Sequence, residues 1–219
     1  MNQILDSNFN IDKNYSFSKL KKFKIIFWVF IIITIFFIIF YFYLKYNTSQ
    51  KEKISKSLVD NFSITTLYPN INSSDYISQK IAYSENDKIE PFVVGLIKID
   101  KIDLMYPILS HSTEDLLSIA PCRFYGPLPN NVGNLCIAGH NYANNTLFGK
   151  LHLITIGDVV EIYDLDGTKL LYTIYEKKEI NSDDLSCLNQ STDGLCEITL
   201  ITCNTIKGNR TIIKAKENR

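Results

Sequence analysis

Two short blocks of this 219-residue sequence carry side chains that together could perform acyl transfer. Cys203 ends an apolar, β-branched run that reads ITLITC, and Arg210 follows it seven positions later. His140 lies in the second block, IAGHN. A thiol can attack a carbonyl carbon, an imidazole can move protons, and a guanidinium can offset the charge of an oxyanion. These three residue types therefore indicate chemistry that proceeds through a thioester.

Each of the three residues has a clear chemical task, and each also has an ordinary structural explanation. A free thiol has a pKa of roughly 8.5, so a nearby cation increases its thiolate share at neutral pH. His140 can supply that cation and later protonate a leaving amine, while Arg210 keeps its proton and acts as a fixed donor. Taken alone, Cys203 could be a buried structural thiol, His140 a turn residue and Arg210 a solvated strand edge. The spacing of the three residues alone does not decide between the catalytic and the structural interpretations.

The elements that must position these residues are predicted to be strands. Apolar and β-branched runs bounded by turn residues predict strands at 92–99, 102–109, 134–138, 158–163, 169–175, 196–202 and 211–216. Short helices are predicted at 113–119, capped by Ser112 or Thr113, and at 146–151. Many short strands favour a closed barrel or a sandwich. His140 and Cys203 each follow a predicted strand, so neighbouring strands would place both at one rim.

The N-terminal part of the chain has a different composition. Residues 25–44 contain no charge and are long enough to cross a hydrocarbon core of roughly 30 Å. Four lysines at 19–24 precede this segment and only Lys45 follows directly, which predicts an N-terminus inside the cell. The predicted organisation is a basic cytosolic tail at 1–24, a transmembrane anchor at 25–44, a stalk or linker at 45–90, and a domain of short strands at 91–219. Residues 51–62 could form a helical stalk or a disordered tether.

Composition excludes some classes of function. The formal net charge is zero and no basic stripe is present, so the sequence gives no support for nucleic-acid binding. Five cysteines occur without a CxxC pair, and their spacing to histidines matches no zinc module. We therefore expect no cofactor and no metal. The four cysteines besides Cys203 are interpreted as structural, with a disulfide between Cys187 and Cys196 as a minor alternative.

The ITLITC and AGHN blocks, with an arginine at the start of the next strand, resemble those of sortases. These are membrane-anchored cysteine transpeptidases of Gram-positive bacteria. The resemblance covers roughly residues 92–216. It includes the segments GLIKI, GNLCIAGH, FGKL and IGDVV, which begin at residues 95, 133, 148 and 156.

The resemblance implies a mostly β fold: a closed eight-stranded sortase-like β-barrel with short helices, preceded by one N-terminal transmembrane helix. It implies cleavage of an LPXTG-like C-terminal sorting signal of secreted surface proteins, between Thr and Gly. The acyl group would pass through a thioester on Cys203 to an amine of a cell-wall precursor. His140 would be the general acid and base, and Arg210 would stabilise the oxyanion or orient the substrate. The peptide groove would be lined by Ala138, Ile201 and Thr202. The protein would be a single-pass protein of the cell membrane with an extracellular catalytic domain.

The sequence also departs from parts of the family pattern. Residues 124–132 contain none of the carboxylates that some members use for calcium, so we expect no calcium site of that kind. No Asp-Pro-aromatic lid motif occurs at 60–90, and no second membrane span precedes Arg219, which favours an anchoring role over pilus assembly. The polar segment between Tyr175 and Cys196 predicts no additional helix. Two alternative functions stay open: a non-enzymatic surface-displayed β-barrel that binds peptides or wall polymer, and a cysteine hydrolase.

Overall fold

The computed structural model describes residues 13–67, 91–204 and 208–218, with side chains of the N-terminal helix described from residue 23 to residue 62. Residues 1–12 of the predicted tail and 68–90 of the predicted stalk, including the region searched for a lid motif, lie outside the described residues.

Eight strands form a closed barrel, which confirms the predicted fold class. They join in the order β1-β2-β3-β4-β7-β8-β6-β5. The strands are β1 (Val93–Ile99), β2 (Leu104–Leu109), β3 (Cys122–Tyr125), β4 (Gly133–Ala138), β5 (Val159–Tyr163), β6 (Lys169–Ile180), β7 (Cys196–Cys203) and β8 (Arg210–Glu217). Short 3-10 turns lie at Asp100–Ile102, Leu151–Leu153 and Ser186–Leu188.

Strand alternation explains why the barrel closes around an apolar interior. Successive side chains of a strand point to opposite faces, so every second residue enters the core. Ile137, Leu200 and Ile213 are fully buried in the same cluster and come from three adjacent strands, β4, β7 and β8. Burial of one such side chain stabilises the fold by about 1.5–3 kcal/mol. The apolar, β-branched composition of these runs therefore produces both the strands and their closure.

The pairing of β4 with β7 decides the position of the predicted site. These strands lie side by side and parallel, with Ala138 opposite Ile201. Strand β8 then pairs with β7 in the antiparallel sense. Parallel neighbours end at the same edge of a sheet, so the residues that close β4 and β7 emerge at one end of the barrel.

A long helix, α1 (Lys13–Leu67), precedes the barrel. Within the described part of the chain, it is the one helix long and apolar enough to cross a membrane, over Phe23–Phe62. The helical interpretation of residues 51–62 agrees with the structure. The compact unit that holds the barrel starts at Gln50, whereas the sequence placed the start of that domain at residue 91.

Apolar packing explains why the compact unit includes the end of α1. Leu58 and Phe62 are buried in one cluster with Val93, Leu96 and Leu109 of the barrel. Their burial removes two large apolar side chains from water. The last turns of α1 are therefore part of the folded barrel unit rather than a separate spacer.

Two sequence predictions about helices had different outcomes. Helix α2 (Glu114–Leu117) is present, and the Leu116 N–H donates to the Thr113 hydroxyl that caps it. The helix predicted at 146–151 is wrong. Leu147 has a φ of 52°, in the left-handed region, which interrupts a right-handed helix at this point.

Candidate active site

Hydrogen bonds fasten the end of β4 to the end of β7. The Gly139 N–H donates to the Ile201 carbonyl at 3.0 Å. The buried Thr202 hydroxyl donates to the Gly139 carbonyl at 2.7 Å. Gly139 directly precedes His140, and Thr202 directly precedes Cys203. The backbone before the imidazole is therefore held against the backbone before the thiol.

A further hydrogen bond joins the same two strand ends on the C-terminal side of His140. The Asn141 side-chain amide donates to the Cys203 carbonyl at 2.9 Å. His140 thus stands between two residues that are each bonded to the end of β7. Asn141 belongs to the AGHN block, but the sequence alone predicts no role for it. The one feature of the sequence that could have indicated a role for Asn141 is its position directly after the candidate histidine.

Arg210 lies directly opposite Cys203 in the antiparallel ladder of β7 and β8. Directly opposed residues in such a ladder have Cβ atoms about 4.5–5.5 Å apart. The connection closes with the Asn204 N–H donating to the Asn209 carbonyl at 2.7 Å. The structure therefore brings His140, Cys203 and Arg210 to one end of the barrel, which we call the catalytic rim.

The thiol of Cys203 differs from the other four in its access to solvent. Cys203 is exposed, whereas Cys122, Cys136, Cys187 and Cys196 are buried, and all five are free rather than disulfide-bonded. Burial raises the pKa of the Cys122 and Cys136 thiols to about 12. A buried thiol that stays protonated is a poor nucleophile. Cys203 is therefore the cysteine that a substrate can reach.

His140 has a carboxylate and an aromatic ring beside it. Its Nε2 lies 3.5 Å from the Glu114 carboxylate, which comes from α2. Its ring centroid lies 5.1 Å from that of Tyr142, tilted by 36°. Burial, and then the charge of Glu114, raise the pKa of Tyr142, so this ring stays a neutral phenol at physiological pH. Sequence reasoning missed Glu114, because nothing in its local pattern indicates contact with a distant histidine.

The three residues predicted to line a peptide groove do not share one face. Ala138 and Ile201 pack in a cluster on the outer face of the barrel, together with Ile180 and Ile212. Thr202 lies between Ile201 and Cys203 in β7, so it points to the opposite face, and it is buried. The structure thus groups Ala138 and Ile201, while Thr202 acts on the backbone of Gly139 instead.

Within the described residues, no group of three or more His, Cys, Asp or Glu side chains has an arrangement that could hold a metal ion.

The family model for the sortase domain matches residues 97–218, which is 122 of the 219 residues. The chain belongs to the sortase family. Sortases are cysteine transpeptidases, and this sortase is accordingly an enzyme of that class. The matched range includes the whole catalytic rim. Among curated protein sequences, no significant match to the chain was found.

Solved sortase structures resemble this sortase over most of its barrel unit. A sortase D5 transpeptidase of Clostridium perfringens is 28% identical with a TM-score of 0.60, over 76% of this chain and 99% of that one. The sortase C1 of the GBS pilus island 1 is 26% identical with a TM-score of 0.54, over 58% of this chain and 64% of that one. A lid mutant of sortase A from Corynebacterium diphtheriae is 22% identical with a TM-score of 0.55, over 76% and 95%, and this likeness concerns the fold alone.

Proposed function

We propose that this sortase cleaves an LPXTG-like C-terminal sorting signal between Thr and Gly and transfers the new C-terminus to an amine of a cell-wall precursor. The observation that carries the proposal is the alignment of strand ends. His140 lies two residues after the end of β4, Cys203 is the last residue of β7 and Arg210 is the first residue of β8. They supply a proton carrier, a nucleophile and a fixed cation at one rim.

In the first half-reaction, the Cys203 thiolate attacks the threonine carbonyl carbon of the signal. A carbon–sulfur bond forms, and negative charge develops on the carbonyl oxygen, where Arg210 donates hydrogen bonds. The peptide carbon–nitrogen bond then breaks, and His140 gives a proton to the departing glycine amine. The surface protein is left as a thioester on Cys203.

In the second half-reaction, an acceptor amine attacks the thioester carbon. His140 takes the proton that the amine loses, a carbon–nitrogen bond forms, and the carbon–sulfur bond breaks. The Cys203 thiolate returns to its starting state. Ala138 supports the proposal, because it is partly exposed, packs against the buried Ile201 and lies on the same face of the sheet as the thiol.

The proposed setting is the outer side of the cell membrane. Residues 25–44, within the candidate span Phe23–Phe62 of α1, contain no charge and are long enough to cross a bilayer. The lysines that flank residues 25–44 favour the N-terminus inside and the barrel outside. Secreted proteins and wall precursors meet on that side, so the barrel would encounter both substrates there.

The test uses full-length protein in detergent micelles, a peptide that ends in a sorting signal, and triglycine as the amine. We expect release of the glycine-side fragment and formation of the amide product. Cys203→Ala should abolish both, whereas Cys136→Ala, a buried thiol, should retain turnover if the fold is intact. Wild-type turnover in Cys203→Ala would refute the assignment of the nucleophile.

The same assay separates transfer from hydrolysis. With increasing triglycine, a transpeptidase converts the thioester increasingly to amide product, while a hydrolase continues to form the free acid. We expect the amide to dominate at millimolar amine. A product ratio that stays on the acid side at a large excess of amine would favour the hydrolase.

A further inference from the structure

The chain reverses direction directly after His140 and returns alongside it. The His140 carbonyl accepts from the Phe148 N–H at 3.0 Å. Asn141 and Leu147 face each other in an antiparallel bridge one residue further along. We call residues 140–148 the histidine loop, because its outgoing side carries the imidazole and its returning side holds the backbone of that residue.

Phe148 anchors the returning side of the loop in the barrel interior. Its ring is fully buried in the main core cluster. The ring also lies against Gly139, because a Cβ atom at that position would come within 2.7 Å of it. The backbone on the N-terminal side of His140 is therefore positioned by the returning side of the loop as well as by β7.

Leu147, directly before Phe148, has a backbone conformation that a leucine rarely adopts. Its φ of 52° lies in the left-handed region, where a side chain crowds the following carbonyl. The residue is also buried. Such a conformation persists only where the surrounding structure fixes it, and strained residues of this kind gather at functional sites. Contacts with the rest of the fold must therefore hold Leu147 in place.

The Tyr106 hydroxyl makes such a contact. It accepts from the Leu147 N–H at 3.1 Å. Tyr106 lies in β2, two strands away from β4, and its ring packs against the main core cluster. Burial raises the pKa of Tyr106, so its oxygen stays a neutral hydroxyl at physiological pH. A core residue outside the catalytic rim thus satisfies the main-chain donor of the strained residue in the histidine loop.

We propose that Tyr106 is a positioning residue for His140 and that its hydroxyl acts through the histidine loop. The inference rests on the proposed transpeptidation, in which His140 protonates the leaving amine and takes a proton from the acceptor amine. The hydroxyl fixes Leu147, and the backbone contacts across the loop then fix where the imidazole stands relative to Cys203. Tyr106 itself takes no part in making or breaking bonds.

The test compares Tyr106→Phe with Tyr172→Phe in full-length protein in detergent micelles. Each variant removes one hydroxyl and keeps the ring. Tyr172 is the matched control, because its side chain is buried in the same core cluster and its hydroxyl donates to the Asn130 side chain at 3.1 Å, in the loop after β3. Each variant loses one partly buried hydrogen bond, so both should lower the Tm by about 2–6 °C. All further measurements are made well below the lower Tm.

Hydrogen–deuterium exchange, read by mass spectrometry, reports on the histidine loop without any substrate. Tyr106→Phe should increase the exchange rate of peptides that cover residues 140–148 about threefold or more, because the loop opens more often when the Leu147 N–H loses its acceptor. Tyr172→Phe should leave these peptides at the wild-type rate.

Steady-state cleavage of a sorting-signal peptide, with triglycine as acceptor, reports on the chemistry. In Tyr106→Phe we expect kcat to fall about three- to tenfold, because the proton carrier is held less accurately, while the donor KM stays within about twofold of wild type. Tyr172→Phe should keep the wild-type kcat in spite of its similar loss of stability.

Four results would overturn the proposal. Unchanged exchange in Tyr106→Phe would show that the hydroxyl does not hold the loop, and faster exchange with a wild-type kcat would show that His140 does not depend on it. Equal kcat losses in the two variants would reduce the effect to general stability. A change in the donor KM alone would place Tyr106 in peptide binding. Absence of fragment release from wild type would instead refute the proposed function and this inference with it, whereas the four results above leave the proposed function standing.

Discussion

Replacing Thr202 with valine should test whether the bond between the two strand ends holds the catalytic rim together. The threonine hydroxyl is buried and donates to the Gly139 carbonyl at 2.7 Å, directly before His140. Valine keeps the branched shape but has a methyl group in place of the hydroxyl. The variant therefore leaves the Gly139 carbonyl without this donor in a site from which water is excluded.

The size of the effect follows from that burial. A buried polar group that loses its partner costs about 1–3 kcal/mol of unfolding free energy. For a domain of this size, each kcal/mol lowers the Tm by about 2–4 °C, so Thr202→Val should lower it by about 2–12 °C. Misplacement of a catalytic group by a fraction of an ångström also lowers the rate, and we expect kcat/KM to fall about tenfold or more.

The assay combines thermal unfolding by circular dichroism with steady-state cleavage of a sorting-signal peptide. Thr202→Ser is the matched control, because it keeps the hydroxyl and loses one methyl group, which is worth about 0.8 kcal/mol. The serine variant should retain near-wild-type kcat/KM. Wild-type Tm and kcat/KM in Thr202→Val, or an equal activity loss in both variants, would refute the reasoning.

Three further predictions concern stability and thiol reactivity. Leu58→Ala should lower the unfolding free energy of the barrel unit by about 2–3 kcal/mol, because this helix residue is buried against the barrel, and urea denaturation measures the loss. The hydrogen bond from Lys101 holds the pKa of Asp158 below its usual range. The charged Asp158 carboxylate therefore stabilises the folded state above about pH 4, and this contribution disappears as the pH falls through the lowered pKa. Asp158→Asn should therefore be less stable than wild type at pH 7 in denaturant titrations, and the difference should shrink as the pH falls through the lowered pKa. In native protein, iodoacetamide should alkylate Cys203 while Cys136 is protected, as measured by mass spectrometry.

Each of these predictions has a matched comparison. Ile54→Ala removes an exposed residue of the same helix and should change stability by less than about 0.5 kcal/mol; a loss equal to that of Leu58→Ala would contradict the packing of α1. Asp166→Asn removes a carboxylate from an exposed turn, and an equal loss of stability at pH 7 in this variant would contradict the role of the Lys101–Asp158 bond. After denaturation all five cysteines should react, and native labelling of Cys136 as fast as Cys203 would contradict their difference in burial.

The sequence was most informative where a strand has one buried face. The runs that became β1, β4 and β7 were predicted within a residue or two at most ends, because their apolar residues supply the core. Strand β3 (Cys122–Tyr125) was missed. It has four residues, and its register with β4 shifts between Arg123 and Tyr125, so no alternation is visible.

Other parts of the fold depend on contacts that a local pattern does not contain. Strand β6 continues to Ile180 through the charged run Glu176-Lys177-Lys178-Glu179, since its pairing with β8 supplies the order that apolar residues would otherwise provide. The predicted helix at 146–151 had suitable composition, but the positive φ at Leu147 overrides helix propensity.

The site itself was partly predictable. The residue types and strand-end positions indicated His140, Cys203 and Arg210 as candidates, but their convergence needed the parallel pairing of β4 with β7. Residues 63 positions apart in sequence carry no local signal of that neighbourhood. The same is true of Glu114 beside the imidazole, which only the folded barrel places there.

The ladder between β7 and β8 has a consequence for how such an enzyme can diversify. Cys203 and Arg210 face each other because seven residue pairs from Glu197–Lys216 to Cys203–Arg210 are in register. Buried pairs within the ladder, such as Leu200–Ile213, hold this register, because a slip of one residue would turn the apolar side chains of a strand to the opposite face. A residue inserted into or deleted from either strand would therefore separate Cys203 from Arg210 and also disturb the core. Variation that keeps the two residues opposed is thus restricted to substitutions that leave both strand lengths unchanged.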